Sequence, residues 1–216
     1  MFVVLRLISL PVARRPQCEA IITELREATA AIAGISSCWI APVVEGVVIN
    51  AGQIVWRMEF QTEREAQAIQ LDPHWLSRVA PLLHDAEVTA VGYRITCAQV
   101  RAAGAGIWRA LIFRVTPAGF PDAAKALEAG LLLFPKYIPA IRSWALSPVA
   151  SVDGPKAFTH VWEQEFDSVS GLTVDYMVSP LHWGVVDAWF DAESPDYVVD
   201  PQLIQVVGQI DQSIMH

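Results

Sequence analysis

The chain has 216 residues, 53% of them hydrophobic and 18% charged, and carries a formal net charge of −8 at pH 7. That apolar content supports a sizeable core and excludes a disordered chain. The acidic balance excludes a basic nucleic-acid footprint and opposes binding to an anionic membrane, so a small apolar or aromatic molecule is the expected partner. Cys18, Cys38 and Cys97 are odd in number, widely spaced and without a CxxC pair. They suit neither a disulfide framework nor a zinc site, and buried free thiols in a reducing cytoplasm are the expectation.

The elements follow in order. Residues 1–10 are apolar, but Arg6 interrupts the run and no basic stretch precedes it, so the segment reads as a core strand, Phe2–Ser9, rather than a signal peptide. Ile21, Leu25, Ala28 and Ile32 recur at helical spacing over about 17–33, and Gly34 is a natural stop. Strands are predicted over about 36–44 and 53–60. A helical stretch covers about 63–83, interrupted by Pro73, and a last strand about 88–96. No apolar run approaches the length needed to cross a membrane.

The same order then recurs. At an offset of 106 residues Pro11 meets Pro117, Ile35 meets Ile141, Ser37 meets Ser143 and Pro42 meets Pro148. Val55, Trp56, Glu59 and Phe60 meet Val161, Trp162, Glu165 and Phe166. Small insertions widen the offset until His74-Trp75 meets His182-Trp183, and Val91-Gly92 meets Val207-Gly208. The second copy has predicted strands at about 107–115, 142–149, 157–166 and 203–210. Its helices fall at about 122–132 and 171–190, the latter interrupted at Pro180. The expected fold is therefore α+β: two tandem ferredoxin-like βαββαβ units, residues 1–98 and 106–216, pairing sheet to sheet as an intramolecular α+β barrel. The linker, about 98–106, has Ala102-Ala103-Gly104-Ala105-Gly106 as its flexible part. This pseudo-dimer leaves a further homodimer of whole chains open.

Strand alternation singles out one face of the second copy. In the first copy Ile54, Trp56, Met58 and Phe60 share a wholly apolar face. Its counterpart carries Phe158, His160, Trp162, Gln164 and Phe166. His160 replaces Ile54, Gln164 replaces Met58, and Tyr176 replaces Ala68. Buried polar groups cost free energy unless hydrogen-bonded, so three such replacements in one copy point to a pocket there. A satisfied core histidine and a core tyrosine are the alternative readings. The extra segment 191–200, with Glu193, Pro195 and Asp196, is expected to be a loop bordering that pocket.

The second copy resembles the stress-responsive A/B barrel (Dabb) family of dimeric α+β barrels. The residues that carry the likeness are Phe158-Thr159-His160-Val161 with Glu165-Phe166, the run from Asp175 through Tyr176 to His182-Trp183, and Asp200-Pro201. The family includes plant stress proteins and a polyketide cyclase that needs no cofactor. The resemblance places that cyclase's strand histidine on His160, its helix tyrosine on Tyr176 and its catalytic histidine on His182. Two positions depart from the family pattern: Trp108-Arg109 stand where many members have a histidine, and Ser179 stands where a histidine commonly precedes the proline.

These readings converge on cofactor-free acid–base chemistry (a cyclase, C–C lyase or isomerase type) on an aromatic or polyketide-like carbonyl or phenolic compound. His182 would be the base, Tyr176 its orienting partner or an enolate donor, and His160 the group that polarises a carbonyl. Phe158, Trp162, Gln164, Phe166 and Trp183 would line the pocket. No metal ligand set, GxGxxG, P-loop or GxSxG occurs in the sequence, so neither metal nor cofactor is expected. The alternative is a non-catalytic small-molecule-binding or stress-response protein using the same pocket.

Overall fold

A computed structural model describes residues 1–101, 104, 106–116 and 122–215. Pro117 and the linker residues Ala102, Ala103 and Ala105 lie outside the described residues. The first unit is built from β1 (Phe2–Ser9), α1 (Cys18–Ala30), β2 (Ser37–Pro42), β3 (Ile54–Phe60), the short helices α2 (Glu63–Ala68) and α3 (Ala80–Leu83), and β4 (Glu87–Arg94). A short strand β5 (Cys97–Gln99) follows. The second unit has β6 (Gly106–Phe113), α4 (Ala123–Leu131), α5 (Phe134–Tyr137), β7 (Ile141–Asp153), β8 (His160–Phe166), α6 (Asp187–Phe190) and β9 (Ile204–Ile210).

Each unit's strands are ordered second, third, first, fourth, the ferredoxin-like arrangement, and the two sheets join edge to edge as β2-β3-β1-β4-β7-β8-β6-β9. The join at one edge is β4 with the long strand β7, through Ala90 to Asp153 and Val91 to Val152. At the other edge the chain beyond β2 reaches β9: Val44 N–H donates to the Val207 carbonyl at 2.8 Å, and Ile49 and Gln205 exchange both backbone bonds. The sheet is thus a nearly closed antiparallel barrel, which leaves few unpaired edge groups.

Alternation divides the side chains into three cores. Val3, Leu5, Val55, Val91, Trp108, Ala110, Val161 and Val206 point into the barrel, so the sheet face left bare by each unit's helices is covered by the other unit. Ile54, Trp56, Met58 and Phe60 pack outward beneath α1 and the 63–83 segment. Ile107, Leu111, Trp162 and Phe166 pack outward beneath α4 and the 171–190 segment.

Both long helices expected from the sequence are broken in the same way. Asp72 accepts hydrogen bonds from the backbone of His74 and Trp75, and Ser179 accepts one from Leu181. Each is an N-cap followed by proline at the first helical position, so the chain stops and restarts rather than kinking. The restarted pieces contain π-helical turns, Trp75–Val79 and His182–Val186.

Three expectations are corrected. Gly106, expected in the flexible part of the linker, opens β6, and the start of the linker belongs to β5, which pairs with β7. The cysteines are free but not buried, since Cys38 and Cys97 are exposed and Cys18 is half-buried. Strand β8 begins at His160 rather than 157; Thr159 before it still bonds through its backbone to Phe113 and Val149, and its hydroxyl takes the Val115 N–H. Alternation therefore does not extend to Phe158, which joins the barrel interior instead of the face that carries His160. No described helix is long and apolar enough to cross a membrane.

Candidate functional site

The helix-covered face of the second unit brings some of the predicted residues together. Tyr176 ends a π-helical turn, Gly171–Tyr176, and is only 1% exposed. Its ring meets His182 edge-on at 5.1 Å and is enclosed by Phe134 at 5.5 Å and Phe166 at 5.7 Å. His182 is also buried, with Phe134 6.0 Å away. Its Nδ1 lies 3.4 Å from Asp187 Oδ1, within reach of charge attraction but not aligned as a hydrogen bond. Burial lowers the His182 pKa below the ordinary histidine value of 6.5; Asp187 opposes the shift and Arg109 adds to it.

His160 does not join that pair. Its ring stacks on Phe113 at 5.1 Å, its Nδ1 is 2.7 Å from the Thr159 hydroxyl, and its Nε2 is 3.0 Å from Glu128 Oε1 on α4. Trp162 is fully buried against Trp144 at 5.7 Å, and Phe166 stays with Tyr176. Trp183, expected to line the pocket, is 66% exposed, so its ring faces solvent. Its counterpart Trp75 is buried and stacks on Trp56 at 5.3 Å. One residue of a helix turns through about 100°, so the second unit's restarted helix points its histidine inward where the first points its tryptophan.

The residue that organises the site is Arg109, whose role in the site sequence reasoning missed. It is 2% exposed. Its Nε and Nη2 donate to Gln205 Oε1 at 3.0 and 2.7 Å, and its Nη1 donates to Gln164 Oε1. Its guanidinium carbon stands 5.2 Å from the Tyr176 ring centroid. Among the described residues no carboxylate pairs with it, and burial lowers its pKa. Arg109 pairs with Gln164 across β6 and β8 as Val4 pairs with Met58 in the first unit. The second unit has thus replaced an apolar cross-strand pair with a cation and an amide. The signal was present in the run Ile107-Trp108-Arg109-Ala110-Leu111, where alternation puts Arg109 on the same side as Ile107 and Leu111.

A buried cation held by neutral amides is a poor structural solution and a good anion holder. The larger surface pockets of the described residues are not lined by His160, Tyr176 or His182. One pocket on this unit, about 280 Å³, lies between α4, Trp189 and the 195–198 part of the extra segment. That segment also buries Val198 and Val199 in the same core as Tyr176.

Residues 107–201 match the family described as the Stress responsive A/B Barrel Domain. Over those residues the second unit is similar to that family. Over nearly its whole length the chain is similar in fold to an anthrone oxidase-like protein, at 14% identity and a TM-score of 0.71, covering 96% of this chain and 90% of that one. It is similar to a proposed monooxygenase of Fusobacterium nucleatum subsp. nucleatum at 8% identity and a TM-score of 0.61, covering 97% and 91%. A heme-degrading enzyme of Listeria monocytogenes matches at 11% identity and a TM-score of 0.50, covering 95% and 97%. At such identities the likeness is one of fold. No curated protein matches the sequence.

Proposed function

We propose that the second unit, residues 106–216, is an acid–base site that acts, without a cofactor, on an aromatic or polyketide-like carbonyl or phenolic compound. The observation that carries this reading is the buried Arg109 without a carboxylate partner, placed against Tyr176 and near His182. His182, neutral at pH 7 because burial lowers its pKa, takes a proton from the carbon beside a carbonyl or from a phenol. The electron pair left behind becomes an enolate or phenolate oxygen, and the Arg109 guanidinium and the Tyr176 hydroxyl stabilise it. Returning the proton to a different atom completes an isomerisation; in a cyclisation the enolate carbon attacks a second carbonyl, whose oxygen becomes an alkoxide and takes back the proton from His182. His160, tied to Glu128, polarises the far end of the substrate. The three neighbours' described activities also concern small molecules.

The enclosure of Tyr176 favours one other reading, a non-catalytic binding or stress-response protein. Turnover of phenolic β-dicarbonyl compounds separates the two. His182→Ala is expected to lower kcat by about 10²-fold or more in a chain that still folds, with a lower melting temperature from the cavity it leaves. His74→Ala, in the first unit, is expected to leave kcat unaltered. Saturable binding of the same compounds without turnover in the wild type would establish the binding protein instead.

A further inference from the structure

The first unit contains a second buried arginine, and it lies at a different place. Arg6 on β1 is 6% exposed and points outward, beneath the 63–83 segment, with its guanidinium carbon 5.0 Å from the Trp75 ring centroid. By strand register it matches Leu111, not Arg109, since Arg6 pairs with Trp56 as Leu111 pairs with Trp162. It therefore belongs to no part of the site described above. Its Nε is buried and without a hydrogen-bond partner among the described residues. An unpaired buried guanidinium N–H is costly and calls for a partner that the protein itself does not supply.

Arg6 lies at the floor of a pocket of about 400 Å³ at the seam between the two units. Phe2 and Val4 form the rest of the floor, and Gln70, Ser151 and Asp153 form an exposed polar rim. Two features keep this space open. The β4–β7 ladder shifts register between Gly92 and Tyr93. Gly92 also lacks the Cβ that would come within 2.4 Å of Ser151 Oγ and 2.9 Å of the Phe2 ring. The corresponding seam on the other side of the barrel is closed by Val44, Val47 and Val48, which pack into the second unit's core.

We propose that this pocket binds a small organic acid: a carboxylate with an apolar side chain and a neighbouring hydroxyl or ammonium, the chemistry of 2-hydroxy and 2-amino acids. The carboxylate meets Arg6, which offers a fork of donors matched to two oxygens. Asp153 lines the same pocket but makes no ion pair with Arg6 among the described residues, so it is free to accept from the ligand's hydroxyl or ammonium. Phe2 and Val4 take the side chain. Burial also lowers the Arg6 pKa and Asp153 opposes the shift, so a carboxylate acts on the guanidinium from nearby while its Nε stays without a hydrogen bond. The volume falls within the range of roughly 300–1,000 Å³ usual for small-molecule sites.

Calorimetric titration of the full chain with L-leucine, its hydroxy analogue α-hydroxyisocaproate, isocaproate and inorganic phosphate tests this. Saturable binding is expected for leucine or α-hydroxyisocaproate. Isocaproate, which lacks the donor, should bind more weakly, and phosphate weakest. Arg6→Met should weaken binding by about tenfold or more while keeping the melting temperature. Asp153→Asn should reduce the preferred ligand to the level of isocaproate. Should Arg6→Met fail to fold, Arg6→Lys, which keeps the charge and loses the fork, is expected to give an intermediate affinity. His182→Ala should bind as the wild type does, which separates this site from the proposed acid–base site. Binding by none of the four probes, tighter binding of phosphate than of the acids, or affinity unchanged in both Arg6 variants would overturn the proposal.

Discussion

Arg109 and Gln164 are coupled because the guanidinium donates to the buried amide oxygen, with the Tyr176 ring against the same guanidinium. Removing Arg109 alone strands the Gln164 carbonyl in an apolar layer. Arg109→Met is therefore expected to lower stability by about 1–3 kcal/mol, read from denaturant unfolding. The double variant Arg109→Met/Gln164→Met restores the apolar character of the Val4–Met58 pair in the first unit, and should recover most of that loss. Both should lose turnover. His182 gives a second test, by pH. Its folded pKa is depressed by burial, so the unfolded chain takes up a proton first as pH falls. The contribution to stability is complete above about pH 6.5 and declines as pH falls from there towards the folded pKa. Melting temperatures of wild type and His182→Phe should run parallel above that pH and converge or cross below it. The same depression keeps the base unprotonated, so the acid limb of kcat/KM should lie below pH 6.5.

At the scale of elements, the restart at Ser179-Pro180 decides what the site contains. The cap fixes where the helix begins again, and the starting point fixes which of His182 and Trp183 faces the sheet. Ser179→Ala should cost about 1 kcal/mol and lower turnover more than Asp72→Ala, which disturbs the equivalent cap in the first unit. A second element-level constraint lies at the β2–β9 seam. A Cβ on Gly208 would come within 2.5 Å of the Trp39 ring, and Trp39 in turn meets Trp108 edge-on at 5.3 Å. Gly208→Ala should destabilise the fold by about 1–3 kcal/mol through overpacking. The readable consequence is a change in near-ultraviolet circular dichroism from the displaced tryptophan pair.

The whole molecule is held by what its two sheets enclose. Arg57 lies in the barrel interior, with Nε 2.8 Å from Glu163 Oε1 and Nη1 bonded to Glu59 and to the Ile214 carbonyl. Glu163 also accepts from the Trp108 indole at 3.1 Å, and Glu165 takes the Ile214 N–H and the Ser213 hydroxyl, which pins the C-terminal segment into the barrel. Burial pulls the Arg57 pKa down, and Glu163, Tyr93 and Glu59 outweigh it and raise it. Breaking such a pair leaves a buried charge alone. Glu163→Leu should therefore cost about 3–5 kcal/mol, and in a cooperative unfolding experiment both units should lose structure together, because the broken contact spans them.

How much of this was legible follows from where each signal sits. Strand positions, the helix breaks at Pro73 and Pro180, and the double βαββαβ order were written locally, in alternation, helical spacing and proline chemistry, which do not depend on distant partners. The matched Val55/Val161 and Glu59/Glu165 proved to be interior positions of the barrel, so the repeat carried the pairing as well. The contrast between Met58 and Gln164 pointed to the face on which Arg109 is buried. Three outcomes depended on tertiary structure. Phe158 left the site because it lies before β8 and its ring packs into the barrel interior. Trp183 turned outward because helix rotation is fixed by packing against the sheet, and identical residues in two copies can face opposite ways. Arg109 gained its meaning from having amides rather than carboxylates as partners, and Arg6 from a buried Nε without a hydrogen bond; only the folded chain decides which groups surround a buried charge.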